Sequence, residues 1–298
     1  MNPIPTMQRR RATPGRPAGR VGDVRRRTLP AIVADHTLLV ALAVMFLAPF
    51  VTVVLTSFMT AGQAGTRSFW PTDWHPENYL RVFEKLDMWR LYGNSLLYAG
   101  LATVFMLASS IPAGYALARI RFRGSRVVFV LIIWAMMLPP QITTVPLYVM
   151  WSKLHLTGSL WPLILPNLLG DAFSVFLLRQ FFLTIPKEYS ESAKLDGCGE
   201  FRTMLKVIVP MAKPGIAAAA IFLFFFAWND YYGPLLYASQ NPDAWPISYG
   251  LATFRTTKNV DWNLTMAASV LAMIPVVLIF FAAQKVFVRG ITLTGVKG

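Results

Sequence analysis

The chain has 298 residues, 55% of them hydrophobic and only 14% charged, with a formal net charge of +14. Soluble domains carry roughly a quarter charged residues, so an ordinary soluble protein, a secreted enzyme and a disulfide scaffold are excluded. One cysteine, Cys198, leaves no internal disulfide or cysteine-built metal cage, and the three histidines lie far apart with no HExxH pair, so no metal site is expected.

In chain order, residues 1–27 hold eight arginines among Pro and Gly, a composition that predicts a disordered basic tail over 1–30 beside anionic headgroups. A secretory signal starts in the same way. Here the apolar stretch that follows is too long for an h-region and lacks an A-x-A site, so a retained first helix is expected. Runs free of Asp, Glu, Lys and Arg cover 36–66, 91–118, 127–152, 154–170, 214–229 and 262–284. A bilayer core of about 30 Å needs roughly 20 apolar residues per helix. Six spans are predicted, near 35–58, 91–118, 127–151, 159–182, 208–237 and 263–284. Pro139, Pro140 and Pro146 predict a broken third span that lines a cavity. Tryptophans such as Trp70, Trp74, Trp89 and Trp161 fall near span ends, as in an interfacial aromatic belt.

Basic residues are asymmetric about these spans. The segment before span one, Arg119–Arg126 after span two, the stretch Arg179–Lys213 around the loop after span four, and the C-terminal tail together hold 21 of them, against seven elsewhere. Positive charge gathers on the cytoplasmic side, so both termini are expected there. Because this charge sits beside membrane segments, no nucleic acid partner is expected.

The loop over 184–210 carries the most information. Pro186 suits the first turn of a helix, and Lys187 with Glu191 could pair at i, i+4. Asp196-Gly197 is a stop signal. A second short helix is predicted, with Phe201, Leu205 and Ile208 on one side. Glu191, Ser192, Ala193, then Gly197, then Val207-Ile208-Val209-Pro210 resemble the EAA loop of ABC-importer membrane subunits. That pattern is Glu-Ala-Ala, three residues, Gly, nine residues, Ile-x-Leu-Pro; Ser192, Val207 and Val209 depart from it by similar-sized residues. Asn94-Ser95-Leu96, Met137-Leu138-Pro139 and Trp228-Asn229-Asp230 resemble the carbohydrate-uptake subgroup, similar to the second permease of maltose-type systems, which also includes glycerol-phosphate-ester importers.

The resemblance implies an all-α membrane protein with six transmembrane helices over 31–289, a cytoplasmic coupling helix–turn–helix at 184–210, and a short cytoplasmic tail over 290–298 that reaches the ATPase. It implies as partners a second homologous permease, an ATPase dimer and an extracellular substrate-binding protein, in the inner membrane of a bacterium. Glu191, Ser192, Ala193, Asp196, Gly197 and Pro210 are the implied ATPase-coupling residues. ATP and Mg would be bound by the partner, and indeed this chain has no G-x-x-x-x-G-K-[ST] motif. No catalytic residue or cofactor is expected in it.

Ionisable residues within a membrane are functional candidates by default. Asp171 falls within span four and Asp230 in the outer half of span five, beside Trp228, Asn229, Tyr231 and Tyr232. An acid and an amide beside aromatic faces suit a polar, hydroxyl-bearing solute. Asp230 could equally pair with a partner subunit or hold a helix end. A secondary transporter and a membrane-embedded sugar-transfer enzyme are the rival functions. Neither the inverted repeats of the first nor the clustered acidic or histidine groups of the second are evident.

Overall fold

The computed structural model describes residues 29–66, 68–254 and 260–294, so the basic tail over 1–28 and the last four residues lie outside it. The described residues are helical, with no strand. Four helices are long and apolar enough to cross a membrane, and six spans result if each of two bent helix pairs counts as one.

The described residues divide into two units between Pro49 and Phe50. In the first, the described stretch is the beginning of α1 (Leu29–Ser57), with Pro49 inside the helix. In the second, a turn over Ala61–Ala64 and α2 (Glu77–Lys85) lead to α3 (Met88–Arg119). Asp87 caps α3 by accepting from the Arg90 N–H, so this helix starts three residues before its charge-free run. The long α3 is the axis of the unit, packing along α6 (Ala172–Thr184) and α9 (Lys213–Asn229), while α12 (Trp262–Thr294) packs on α9 and α2. At the Met88 end of α3, Leu91, Tyr98 and Ala102 share a core with Ile164, Trp228 and Ala268. At the Arg119 end, Met106 and Tyr115 share a second core with Leu178, Phe182, Ile208 and Ala212.

Small residues permit the closest crossings. A Cβ on Gly114 would meet the Arg179 backbone N and Leu178 Cβ at 3.2 Å. On Gly215 it would lie 2.5 Å from Phe181 Cγ.

The third span is broken where its prolines fall. α4 (Ser125–Met137) and α5 (Pro140–Lys153) meet at 93°, because Leu138 and Pro139 are extended and Pro140 opens a new helix. Met137, Leu138, Ile142 and Val145 around the break are exposed.

The fifth span differs most from expectation. Instead of one helix over 208–237, α8 (Glu200–Met211) meets α9 at 82° about Ala212, and α9 ends at Asn229. Asp230 then separates α9 from α10 (Tyr232–Tyr237), which is followed by α11 (Ile247–Ala252). Span four is also interrupted. A turn of helix and a 3-10 turn over 161–169 end at Gly170, which takes φ +92° before α6 begins, yet Trp161–Thr184 continues as one apolar span and is not one of the two sharply bent pairs. At the other end of the chain, α12 continues through Thr294, so residues 290–294 belong to that helix.

Candidate functional site

Between α6 and α9 the chain folds into two short helices, α7 (Glu188–Leu195) and α8. α7 ends at Asp196, and Gly197 takes φ +79°. The Gly197 N–H donates to Lys194 O at 3.0 Å and the Cys198 N–H to Ala193 O at 2.9 Å. These are the paired bonds of a Schellman motif, closed by the residue best suited to a left-handed backbone. Pro186 lies just outside α7 rather than in its first turn, because Lys187 is the N-cap.

Two side-chain expectations for this loop are corrected. The ion pair is Lys194–Glu200 at 2.5 Å, joining α7 to α8, rather than Lys187–Glu191 within α7. The buried face of α8 is Thr203, Met204 and Ile208, whereas Phe201 and Leu205 are exposed. A π-helical stretch over Met204–Ile208 turns that face toward Tyr115 and Phe182. Leu195, Phe201 and Leu205 thereby form an apolar rim about the Gly197 bend, with Leu195 89% exposed.

α3 holds this loop from beneath. The Tyr115 hydroxyl donates to Glu200 Oε2 at 2.8 Å. The Lys194 ammonium, with help from Tyr115 and against partial burial, holds the Glu200 carboxyl below the ordinary carboxylate range. The Arg119 guanidinium donates to Phe182 O at 2.6 Å and to Ile185 O, capping the last carbonyls of α6. Arg179 donates from Nε to Leu117 O at 3.3 Å and places its guanidinium 3.8 Å from the Phe129 ring centroid, so it ties α3, α4 and α6 together. Of the predicted coupling residues, Ala193 is buried, Glu191, Ser192 and Asp196 are exposed, and Pro210 is in the last turn of α8.

The second group of candidates sits where α9 ends. Trp228 is buried and donates from Nε1 to Ala272 O at 3.2 Å. Asp230 accepts from the Tyr98 hydroxyl at 2.9 Å and from the Gly233 N–H at 3.0 Å, one bond on each carboxylate oxygen. A Cβ on Gly233 would lie 2.4 Å from Asp230 Oδ2, so glycine is what lets the chain fold back over this carboxylate. Asn229 donates to Phe225 O and is exposed. Tyr231 and Tyr232 are also exposed, with Tyr231 stacked on Tyr249 at 5.8 Å. Asp171 is remote from this cluster in sequence and acts as the N-cap of α6, accepting from the Ser174 N–H and hydroxyl. Among the described residues no group of His, Cys, Asp and Glu is arranged to hold a metal ion.

Reasoning from sequence passed over Tyr98, Tyr115, Arg119 and Glu200. The basic run from Arg119 to Arg126 was the available signal for the loop anchor. Nothing marks Tyr98 beforehand, since it lies 132 residues from Asp230.

Comparison with known proteins places the chain. It is 32% identical to the arabinooligosaccharides transport system permease protein AraQ of Halalkalibacterium halodurans, over 84% of this chain and 91% of that one. It is 28% identical to the diacetylchitobiose uptake system permease protein NgcG of Streptomyces coelicolor, over 84% of each. Its fold matches a bacterial ABC transporter involved in the import of the acidic polysaccharide alginate with a TM-score of 0.74 at 24% identity, covering 85% of this chain and 95% of that one. Residues 110–293, well over half of the chain, match one family throughout. The chain belongs to the family of binding-protein-dependent transport system inner membrane components.

Proposed function

We propose that the chain is the permease subunit of an ATP-driven importer for an oligosaccharide or a related polar solute. Both termini and the 184–210 loop are cytoplasmic in this reading, in line with the basic residues gathered there. A second permease pairs with it, an ATPase dimer docks on α7 and α8, and an extracellular binding protein delivers the solute. AraQ and NgcG are named for the transport of arabinooligosaccharides and the uptake of diacetylchitobiose, which supports the solute class. Transport proceeds by alternating access: ATP closes the ATPase dimer, the loop moves with it, and the permease pair opens outward.

The observation that carries this reading is the Gly197 bend. It presents the apolar rim of Leu195, Phe201 and Leu205 outward while Tyr115, Lys194 and Glu200 fasten its base to α3. Exposed apolar side chains on a rigid, polar-anchored turn suit a protein partner. Near Asp230, we assign Trp228 and Asp230 to positioning, since both have their polar atoms engaged within the chain. Asn229, Tyr231 and Tyr232 are the groups open to a solute. On α9, Phe222 and Phe226 continue the exposed face of Asn229 at helical spacing, giving aromatic surface on which a sugar ring can stack.

Purification of the full-length chain from its native membrane tests the proposal. A stoichiometric ATPase that co-purifies, with hydrolysis stimulated by oligosaccharide and binding protein together, is the expected result. Solute uptake by the chain alone in vesicles without ATP would overturn it.

A further inference from the structure

A groove of about 930 Å³ lies between the Arg119–Ser125 connection and α7. Residues Lys187, Ser190, Glu191 and Lys194 line it from one face of α7, at i, i+3, i+4 and i+7. Arg119, Arg121 and Arg123 line the opposite wall. Lys194 and Glu200 neutralise each other, which leaves three arginines and Lys187 lining the groove against Glu191, with Glu188 in the same turn of α7 acting on Arg119 from outside the lining.

The polar atoms at this groove are incompletely satisfied. Ser190 is 8% exposed, and its Oγ has no hydrogen-bond partner. Arg119 spends its terminal nitrogen on the carbonyls of α6, while its Nε is buried and unpartnered. Buried polar atoms are nearly always paired, so two orphans on residues that line one basic groove leave donors for a missing acceptor once those side chains turn toward it. The first turn of α7 adds backbone N–H groups without a side-chain cap.

We infer that this groove binds a phosphate-bearing anion. A phosphate presents several acceptor oxygens on one centre, so it can take the serine hydroxyl, an arginine fork and the helix N-terminus at once. The groove lies where α3 and α6 end, the level at which a bilayer carries its own phosphates. An acidic phospholipid headgroup and free phosphate share this chemistry. Occupancy would bridge the Arg121–Arg123 wall to α7 and so fix the position of the Gly197 bend. The inference rests on the groove, and it stands whether or not the importer reading does.

The test uses the full-length chain with its co-purifying subunits in phosphatidylcholine nanodiscs. Phosphatidylglycerol is titrated in one arm and inorganic phosphate in the other. Retained lipid is read by native mass spectrometry, and protection of residues 186–196 by hydrogen exchange. Saturable retention of phosphatidylglycerol identifies the lipid source, and protection by phosphate alone identifies the free ion; either supports the site. Loss of charge-assisted bonds in the Arg121→Gln/Arg123→Gln variant should weaken binding roughly tenfold or more. Ser190→Ala should also weaken binding while the melting temperature of the unliganded protein stays the same or rises, since an unpaired hydroxyl is removed. A serine that only packs would leave binding unchanged. Variants that bind like the wild type, or protection of 186–196 that neither phosphate compound raises above the level the bound subunits already give, would overturn the assignment.

Discussion

Replacement of Gly197 probes the proposed coupling element with the fewest side effects. A Cβ built on Gly197 would meet no atom within 4 Å, so substitution costs backbone strain and no packing. At φ +79° a residue bearing a side chain loses about 1–2 kcal/mol relative to the ordinary helical region, and Asn loses less. That energy is of the same order as the two Schellman bonds it threatens, Gly197 to Lys194 O and Cys198 to Ala193 O. The open form of the bend should therefore become roughly 5- to 30-fold more populated. Hydrogen exchange at Gly197 and Cys198 should accelerate in the order Asn, Ala, Val, with Val worst because β-branching restricts it further. Uptake should fall in the same order, with Gly197→Val abolishing transport while the chain still inserts. Glu191→Ala should be milder, since an exposed ion pair to a partner is worth at most about 1 kcal/mol. If Gly197→Asn exchanges like the wild type yet fails to transport, side-chain volume against a docked partner is the cause. Normal exchange and normal uptake in Gly197→Val would refute the coupling role of this loop.

Three further outcomes can be checked directly. Asn229→Ala should reduce uptake at low solute concentration with the complex intact, whereas Tyr98→Phe should lower stability by roughly 1.5–3 kcal/mol by leaving Asp230 Oδ2 without its partner; a denaturation series on both variants separates the roles. Asp230→Asn should lower uptake with the complex still assembled, because it weakens the hold on the Gly233 N–H; unchanged uptake in both Asp230→Asn and Asn229→Ala would demote the cluster to structure. Deleting residues 291–298, which include the last described turn of α12, should weaken ATPase coupling more than membrane insertion, and full transport by the truncated chain would contradict this.

The spans were legible because charge-free runs mark them independently of any packing. The bend at Pro139-Pro140 was legible for a related reason: a proline pair removes donors and fixes the backbone wherever it stands. The 82° bend at Ala212 was not, although Pro214 in the first turn of α9 is the mark of a helix start. Lys213 and the start of the charge-free run at 214 mark the same place, but the predicted span extends across them back to 208. Hydrophobic spacing on α8 grouped Phe201 and Leu205 with Ile208 on one side because periodicity ranks side chains by type. It cannot say whether an apolar face meets the chain's own core or another molecule. The acid–amide–aromatic cluster at 228–232 was visible as composition, but the hydroxyl that engages Asp230 comes from α3. Long-range pairs of that kind leave no local trace.

The elbow at Ala212 also has a mechanical consequence. α8 lies nearly at right angles to α9, and Ile208 and Ala212 are both fully buried at the joint. A push along α8 therefore acts on α9 as a crank acts on its shaft. α9 has 17 residues, which at 1.5 Å each make an arm of about 25 Å. A rotation of roughly 5° at the elbow moves its far end by about 2 Å, which is the scale of the helix shifts that separate alternative packings in other proteins. Asn229 and Asp230 stand at that far end. The tight seat of Gly215 against Phe181, just beyond the joint, is the fulcrum that keeps such a displacement from dissipating as sliding between helices.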